Sequence, residues 1–167
     1  AAVTFTNKSA REMKQRVSSL MTKQQAKGLC VSTFHTLGLN IIRHSLPALN
    51  LKSGFSIYDN TDSLSLVREL MRKTFSDPKN QAEMALQQID RWKNAFITPE
   101  NAQQLANGDQ PLILAAAIYE QYNHHLRTYN AVDFNDLIML PVLLLRNNEE
   151  ARNYWQQKIL YLLVDEY

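Results

Sequence analysis

The stretch AAVTFTNKSAREMKQRV, Ala1–Val17, predicts a short apolar strand that leads directly into an amphipathic helix. Ala1–Thr6 contains small and β-branched residues and no charge, which is typical of a strand. Ser9 and Glu12 then have the spacing of a capping box at the start of a helix. Four apolar residues recur at helical spacing along one face: Ala10, Met13, Val17 and Leu20.

The residues that follow repeat this strand-then-helix order. Leu29–Thr33, LCVST, predicts a second short strand, and Phe34–Leu46 continues as a helix that Pro47 ends. Strands that alternate with helices predict parallel strands joined by helical crossovers. We therefore expect an α/β fold built on a parallel sheet.

The middle of the chain has a different pattern, in which capped amphipathic helices follow one another without a strand between them. Met84 and Trp92 share an apolar helix face, and we expect Trp92 and Tyr122 in the core of this region. A further helix is expected to begin at Asp133. This pattern predicts a mostly helical lobe, over about residues 39–150, that is inserted into the α/β frame.

Two adjacent acids follow the last apolar run of the chain. After a helix over Glu149–Lys158, the run Ile159–Val164 has no polar alternation, as expected for a strand buried on both faces of a parallel sheet. Ligands of such sheets bind beyond the carboxyl ends of the strands. Asp165 can therefore hold Mg²⁺ and Glu166 can activate water. The alternative is a pair of solvated acids that end a strand.

A triphosphate site would also need the phosphate loop G-x-x-x-x-G-K-[ST], whose backbone N–H groups hold phosphates. None of the four glycines of the chain begins that pattern. Two explanations stay open at this point: the acids serve another chemistry, or the phosphate loop precedes Ala1.

Composition and charge narrow the classes of function. No apolar run approaches the roughly 18 residues of a membrane span. Cys30 is the only cysteine, which fits a reducing compartment, and we expect it to be a small buried hydrophobe. Residues 1–52 carry eight Lys or Arg and one acid, a net charge of +7. Residues 53–167 carry ten Lys or Arg and fifteen acids, a net charge of −5. The basic end indicates a polyanionic partner, and the alternative is a solvated basic face.

Four segments of the chain together resemble a known family. They are AVTFTNKSAREMKQRV, STFHTLG, DFNDLI and LLVDEY. In order and spacing they resemble motif Ia, motif Ib, the segment that returns to the motor domain, and the start of motif II (Walker B) of superfamily 1 DNA helicases of the UvrD/Rep group. The resemblance implies a fragment of a P-loop NTPase (RecA-like) parallel-sheet motor domain with a large helical insert. Residues 1–38 would be part of motor domain 1A, residues 39–150 the helical domain 1B, and residues 151–167 the return to 1A.

The resemblance also implies an activity and a set of site residues. The intact family member is an ATP-dependent helicase that uses ATP and Mg²⁺ to move 3′ to 5′ on single-stranded DNA and to unwind duplexes in replication or repair. Asp165 would help to hold Mg²⁺ and Glu166 would activate water, whereas the fragment itself is expected to be inactive as an ATPase. The implied DNA contacts are Phe5, Thr6, Asn7, Thr33, Phe34 and His35. The alternatives are a core position for Phe5 and a structural role for His35.

Expected partners follow from the same resemblance. They are single-stranded DNA and duplex junctions, with room for replication or repair proteins, and no membrane; the expected location is the bacterial cytoplasm, in association with the nucleoid. A rival hypothesis is a non-enzymatic helical module that docks DNA or protein. A third is a phosphohydrolase of another class, which the sequence disfavours because no further ligands stand at recognisable spacing. The adjacent His124 and His125 point in different directions on a helix, so we predict no zinc site there.

Overall fold

The structure is a computed structural model that describes residues 1–22, 24, 28–72 and 79–165. In this part of the chain it contains five short strands, eight α-helices and a 3₁₀ turn at Pro47–Leu49. The strands and helices, in chain order, are β1 (Ala2–Thr4), α1 (Asn7–Leu20), β2 (Val31–Thr33), α2 (Phe34–His44), β3 (Ser56–Tyr58), α3 (Asn60–Arg72), α4 (Lys79–Asn94), α5 (Pro99–Leu105), α6 (Gln110–Thr128), β4 (Ala131–Asp133), α7 (Asp136–Asn147), α8 (Glu149–Lys158) and β5 (Leu163–Val164).

The first sheet has three parallel strands in the order β2-β1-β5. Ala2 pairs with Val31 of β2 on one side and with Leu163 of β5 on the other. Helix α1 connects β1 to β2 and packs against both of these strands. The α/β fold with a parallel sheet that the sequence predicts is therefore confirmed.

The burial predicted for the last strand is wrong. The strand begins at Leu163 rather than Ile159, and Leu163 is 70% exposed. It forms one edge of the sheet, where β1 is its neighbour among the described strands. The apolar run therefore marks a surface that this chain alone leaves in contact with solvent.

A second parallel sheet joins β3 to β4, where the sequence predicts helices without strands. Ser56, Ile57 and Tyr58 pair in order with Ala131, Val132 and Asp133. Asp133 therefore ends a strand, and the helix expected to begin there begins at Asp136 instead. This pairing brings the segment before α3 into contact with the segment before α7, although they are far apart in the chain.

The helices between these two strands enclose the larger apolar core. Trp92 and Tyr119 stack with ring centroids 6.0 Å apart, and the predicted core positions of Trp92 and Tyr122 are confirmed. Met84, which the sequence places on the same helix face as Trp92, is 66% exposed on α4. No described helix is both long and apolar enough to cross a membrane.

A smaller core cluster lies where α2 packs against α7. It contains Ile42, Leu51, Val132 and Leu137. Gly38 lies at a close approach of the two helices, where a Cβ would overlap the backbone carbonyl of Leu137. The predicted boundary at residue 38 lies within α2, and the division of the chain into domains stays a prediction.

Two local predictions near the sheet are corrected. Helix α1 begins at Asn7 with Thr6 as its N-cap, so Ser9 donates its backbone N–H to the cap and is not the cap itself. Cys30 is exposed rather than buried. It precedes β2, which is an edge strand, and an edge position has no neighbouring strand to cover it.

Candidate nucleic-acid interface

The carboxyl ends of the three strands of the first sheet meet at one edge. Phe5, Phe34 and Asp165 are the residues that directly follow β1, β2 and β5. Because the strands are parallel and in register, these residues emerge side by side. This edge is where open α/β sheets bind ligands.

Two phenylalanine rings form the centre of this edge. The ring centroids of Phe5 and Phe34 lie 5.4 Å apart with planes tilted by 56°. Phe5 is 61% exposed, so the alternative of a core role for this residue is wrong. Phe34 is half-buried and supports the Phe5 ring from one side. An exposed, supported ring is a surface on which a flat base can stack.

A second aromatic pair continues the surface and includes a residue that the sequence analysis did not select. His35 is exposed, and its ring contacts Phe134 edge to face at a centroid distance of 6.2 Å. Phe134 is 47% exposed and follows the carboxyl end of β4. A signal was present in the sequence, since an aromatic residue between polar residues in DFND is not typical of a helix interior. We call Phe5, Phe34, His35 and Phe134 the aromatic face.

Two helices begin at this edge, and their capping residues explain the predicted threonines. Thr6 caps α1 by accepting the N–H of Ser9 at 3.0 Å. Thr33 caps α2 by accepting the N–H of Thr36 at 3.2 Å, and its side chain is buried. The two hydroxyls therefore position the helix starts, whose free N–H groups favour anions. Asn7, exposed in the first turn of α1, offers a polar side chain to a nucleic acid.

Helix α1, which begins at this edge, carries a basic surface. Only Ala10 is buried in the helix, whereas Met13 and Val17 are half-buried and Leu20 is 83% exposed. Four basic side chains of the helix are exposed: Lys8, Arg11, Lys14 and Arg16. Exposed cations close to an aromatic surface suit a phosphate backbone whose bases stack on the rings.

Of the two predicted catalytic acids, the structure describes one. Asp165 is half-buried, and its N–H donates to the carbonyl of Val3 at 3.0 Å, which fixes it beside the end of β1. Thr4, next to this position in the register, has a buried Oγ1 without a hydrogen-bond partner among the described residues. Glu166 lies outside the described residues. The described residues contain no cluster of three or more His, Cys, Asp or Glu suited to a metal.

A buried polar cluster behind the aromatic face was not predicted from the sequence. Lys93 of α4 is 1% exposed, and its Nζ lies 2.6 Å from Asp133 Oδ2 and 2.8 Å from Asp136 Oδ1. The Tyr122 hydroxyl lies 2.9 Å from both Asp133 Oδ2 and Ser63 Oγ. Forty residues separate Lys93 from Asp133, so their pairing had no local signal.

One ammonium bonds to two carboxylates in this cluster, and burial acts together with these charges on the pKa values. Burial alone would lower the pKa of Lys93, but Asp136 and Asp133 together outweigh it and raise the pKa. Burial, with the negative charge of Asp133, raises the pKa of Asp136 and outweighs the opposing effect of the Lys93 ammonium. Burial, with the nearby Asp133, also raises the pKa of Tyr122.

Two of the concave surfaces of the lobe are lined by residues outside the aromatic face. One, between α4 and α6, encloses about 910 Å³ and is lined mainly by apolar and glutamine side chains, with Met84 and Ile113 exposed. The other, of about 570 Å³, includes His124 and His125. His125 stacks on Tyr129 at a centroid distance of 4.3 Å. Neither surface contains a residue that the sequence analysis predicted for DNA or catalysis.

Comparison with known proteins gives a consistent family assignment. A family model described as the UvrD/REP helicase N-terminal domain matches residues 1–167. The ATP-dependent DNA helicase Rep of Escherichia coli (strain K12) is 50% identical over 167 residues, which are 100% of this chain and 25% of that protein. Rep of Salmonella typhimurium is 48% identical over 167 residues, 100% of this chain and 25% of its own length. The ATP-dependent DNA helicase PcrA of Staphylococcus epidermidis is 36% identical over 167 residues, 99% of this chain and 23% of its own length. The chain thus spans about a quarter of the length of these relatives.

Proposed function

This chain belongs to the UvrD/REP helicase N-terminal domain family, and on that premise we propose that it supplies part of the single-stranded-DNA surface of an ATP-dependent DNA helicase. The observation that carries the proposal is the aromatic face, exposed at the carboxyl ends of parallel strands beside the basic helix α1. The relatives named above are DNA helicases, which supports DNA as the polyanion.

The aromatic face binds the bases, and α1 binds the phosphates and sugars. The Phe5 and Phe134 rings stack on bases, which is tolerant of sequence because every base has a flat face. Asn7 and the cations Lys8 and Arg11 contact phosphates and sugars, which positions the strand without reading it. Binding of this kind lets a motor move along any sequence. The proposal takes 3′ to 5′ movement on single strands and action at duplex junctions from the resemblance to superfamily 1 helicases.

The ATP chemistry of the whole protein would use the other part of the same edge. The half-buried Asp165 carboxylate fits the oxygen ligands that Mg²⁺ accepts, directly or through water, next to phosphates. The Thr4 Oγ1, which has no hydrogen-bond partner within the described part of the chain, fits them as well. Bound there, Mg²⁺ would neutralise phosphate charge, and Glu166 would orient the attacking water. The proposal assigns the phosphate loop to a part of the whole protein outside these 167 residues. The isolated chain is therefore expected not to hydrolyse ATP.

The proposal extends to the setting of the whole protein. We place it in the bacterial cytoplasm, on nucleoid DNA, because the named relatives are bacterial DNA helicases. Replication or repair proteins are the partners expected for such an enzyme. The division into part of domain 1A (residues 1–38), domain 1B (residues 39–150) and the return to 1A (residues 151–167) belongs to the same proposal.

A comparison of two ligands with equal charge tests the stacking part of the proposal. Fluorescence anisotropy at low salt would measure the affinity of the chain for oligothymidine and for an abasic oligonucleotide of the same length. Because both carry the same phosphates, tighter binding of oligothymidine isolates the contribution of the bases. Equal affinity for the two ligands would show that charge alone binds DNA here, and the proposed stacking face would be rejected.

A further inference from the structure

The turn between β4 and α7 exposes the Phe134 ring and buries the side chains of Asp133 and Asp136. We call residues Asp133–Asp136 the aspartate turn. The Asp133 N–H donates to Asp136 Oδ2 at 3.1 Å, and the Asp136 N–H donates to Asp133 Oδ1 at 2.9 Å. These reciprocal bonds close the turn at both ends, and they leave Phe134 as its exposed residue, in contact with His35.

Helix α4 holds this turn from behind at three points. The Lys93 ammonium bonds to the carboxylates of both Asp133 and Asp136. One turn earlier in the helix, Asp90 Oδ1 accepts a hydrogen bond of 2.6 Å from Asn135 Nδ2. Every polar side chain of the aspartate turn is therefore bonded to α4, and the Phe134 ring is the group left free to face outward.

The same contacts join the aspartate turn to the core of the lobe. Helix α4 packs against α3 and α6, and Tyr122 of α6 bonds to Asp133 beside the Lys93 ammonium. A buried charge cluster is weak evidence for stability, because apolar residues of the same volume often stabilise as well. Its best-attested use is to fix one geometry among alternatives. In this chain the cluster fixes the backbone of the aspartate turn, which carries Phe134.

We propose that Lys93 is a positioning residue of the DNA surface: by binding both carboxylates of the aspartate turn, it sets the direction in which Phe134 meets a base. The inference rests on the proposed function, which supplies the ligand, and adds to it a link between the lobe core and the aromatic face. Lys93 is 1% exposed and touches no DNA itself. Its effect on binding passes through Phe134.

The test needs a variant that removes the link without leaving a new charge imbalance. Lys93→Met alone would strand two carboxylates in the core. Lys93→Met combined with Asp136→Asn leaves Asp133 as the one charge, so the cluster keeps its net charge of −1, which follows from one ammonium and two carboxylates. We call this pair of substitutions the unlinked variant. A thermal melt establishes that it is folded at the temperature of measurement.

The first readout is taken without DNA. With 4-fluorophenylalanine placed at position 134, the ¹⁹F resonance reports the environment of that ring beside His35. In the unlinked variant we expect the resonance to move towards that of the free amino acid. The same label at Phe55, which packs in the smaller core cluster, is the matched control and is expected to stay in place. An unchanged Phe134 resonance in the folded variant would overturn the proposal.

The second readout separates positioning from general stability. Phe134→Ala is expected to lower oligothymidine affinity by about 5-fold to 150-fold, the range for removal of one stacked ring. The unlinked variant should lower it by at least about 2-fold and at most by the Phe134→Ala effect. In the Phe134→Ala background, the same two substitutions should have no further effect. Effects that multiply in the combined variant would show that Lys93 acts elsewhere, and would overturn the proposal.

The outcomes also separate this inference from the proposed function. If Phe5→Ala and Phe134→Ala both leave oligothymidine affinity unchanged, the DNA surface is rejected, while the ¹⁹F resonance still decides whether Lys93 positions the ring. If those two variants bind more weakly and the unlinked variant does not, only the role of Lys93 is rejected. Should the unlinked variant fail to fold, Asp136→Asn alone, which keeps the pair of Lys93 with Asp133, decides by the same two measurements with smaller changes expected in the same direction.

Discussion

Replacing Phe5 by alanine removes the most exposed ring of the aromatic face and leaves its charges in place. The ring contacts Phe34 on one side, and 61% of the residue is open to solvent. A base that stacks on Phe5 would cover that open part. We therefore expect Phe5→Ala to weaken the binding of single-stranded DNA with little effect on the dependence of affinity on salt.

The size of the effect follows from the exposed area. An aromatic residue offers roughly 200 Å², so 61% exposure leaves about 120 Å². A base on one face of the ring covers about half of that, and about 60 Å² at about 25 cal/mol per Å² gives about 1.5 kcal/mol. This corresponds to about a tenfold decrease in affinity, within the range of about 1–3 kcal/mol for base–aromatic stacking. The remaining part of the residue, about 80 Å², is buried, so removing the ring lowers the free energy of unfolding by about 2 kcal/mol, which a thermal melt measures separately.

The assay is fluorescence anisotropy with labelled oligothymidine over a series of salt concentrations, repeated with the abasic oligonucleotide. Phe5→Ala should bind oligothymidine about tenfold more weakly at every salt concentration and the abasic ligand equally well. Tyr129→Ala is the matched control, because Tyr129 is 64% exposed and also contacts a single ring, but precedes β4 rather than following it. Equal weakening towards both ligands, or equal weakening by Phe5→Ala and Tyr129→Ala, would refute the stacking argument.

The remaining predictions concern charge, catalysis, folding and pH. Replacing both Lys8 and Arg11 by glutamine should flatten the plot of log affinity against log salt, by about 0.7 for each phosphate that is no longer neutralised; an unchanged slope would remove α1 from the interface. The isolated chain should release no phosphate from ATP in the presence of single-stranded DNA, and turnover abolished by Glu166→Gln would contradict this. Residues 39–150 expressed alone should give a helix-rich circular dichroism spectrum and a cooperative melt, whereas a strand-rich spectrum or a gradual melt would count against an independent lobe. The raised pKa values of Lys93, Tyr119 and Tyr122 mean that the folded state holds these protons more tightly than the unfolded state, so the free energy of unfolding should fall as pH rises above about 10. Tyr122→Phe should reduce that fall, and an equal fall in the variant would contradict the assignment.

The sequence predicted long and capped elements better than short ones. Glu149–Lys158 was expected as a helix and is one with the same bounds. The strands Ser56–Tyr58 and Ala131–Asp133 were missed, because three residues are too few to show an alternating pattern and the pairing partner lies far along the chain. The apolar run before Asp165 correctly predicted a strand but not its exposure, because burial depends on what covers a sheet edge.

For the candidate site, local pattern and family resemblance supplied residues but not their contacts. Phe5, Phe34 and His35 came from motif resemblance, and the structure shows that they lie at one edge. Phe134 was not selected, because its role depends on contact with His35, almost a hundred residues away in the chain. Thr6 and Thr33 were predicted as DNA contacts, and in the structure their hydroxyls cap the starts of α1 and α2. Spatial proximity between distant segments is the information that a single sequence does not display.

The close approach at Gly38 has a consequence for how this surface can change under mutation. A substitution at one ring of the aromatic face alters that ring and the ring that it contacts, and leaves the other pair in place. Gly38 holds α2 against α7, and His35 lies at the start of one helix while Phe134 precedes the start of the other. A side chain at residue 38 would widen the gap between the two helices and shift the two rings relative to each other in a single step. The ring residues can therefore change one at a time, whereas the spacing between the two helices depends on glycine at residue 38, because any Cβ there would overlap the Leu137 carbonyl.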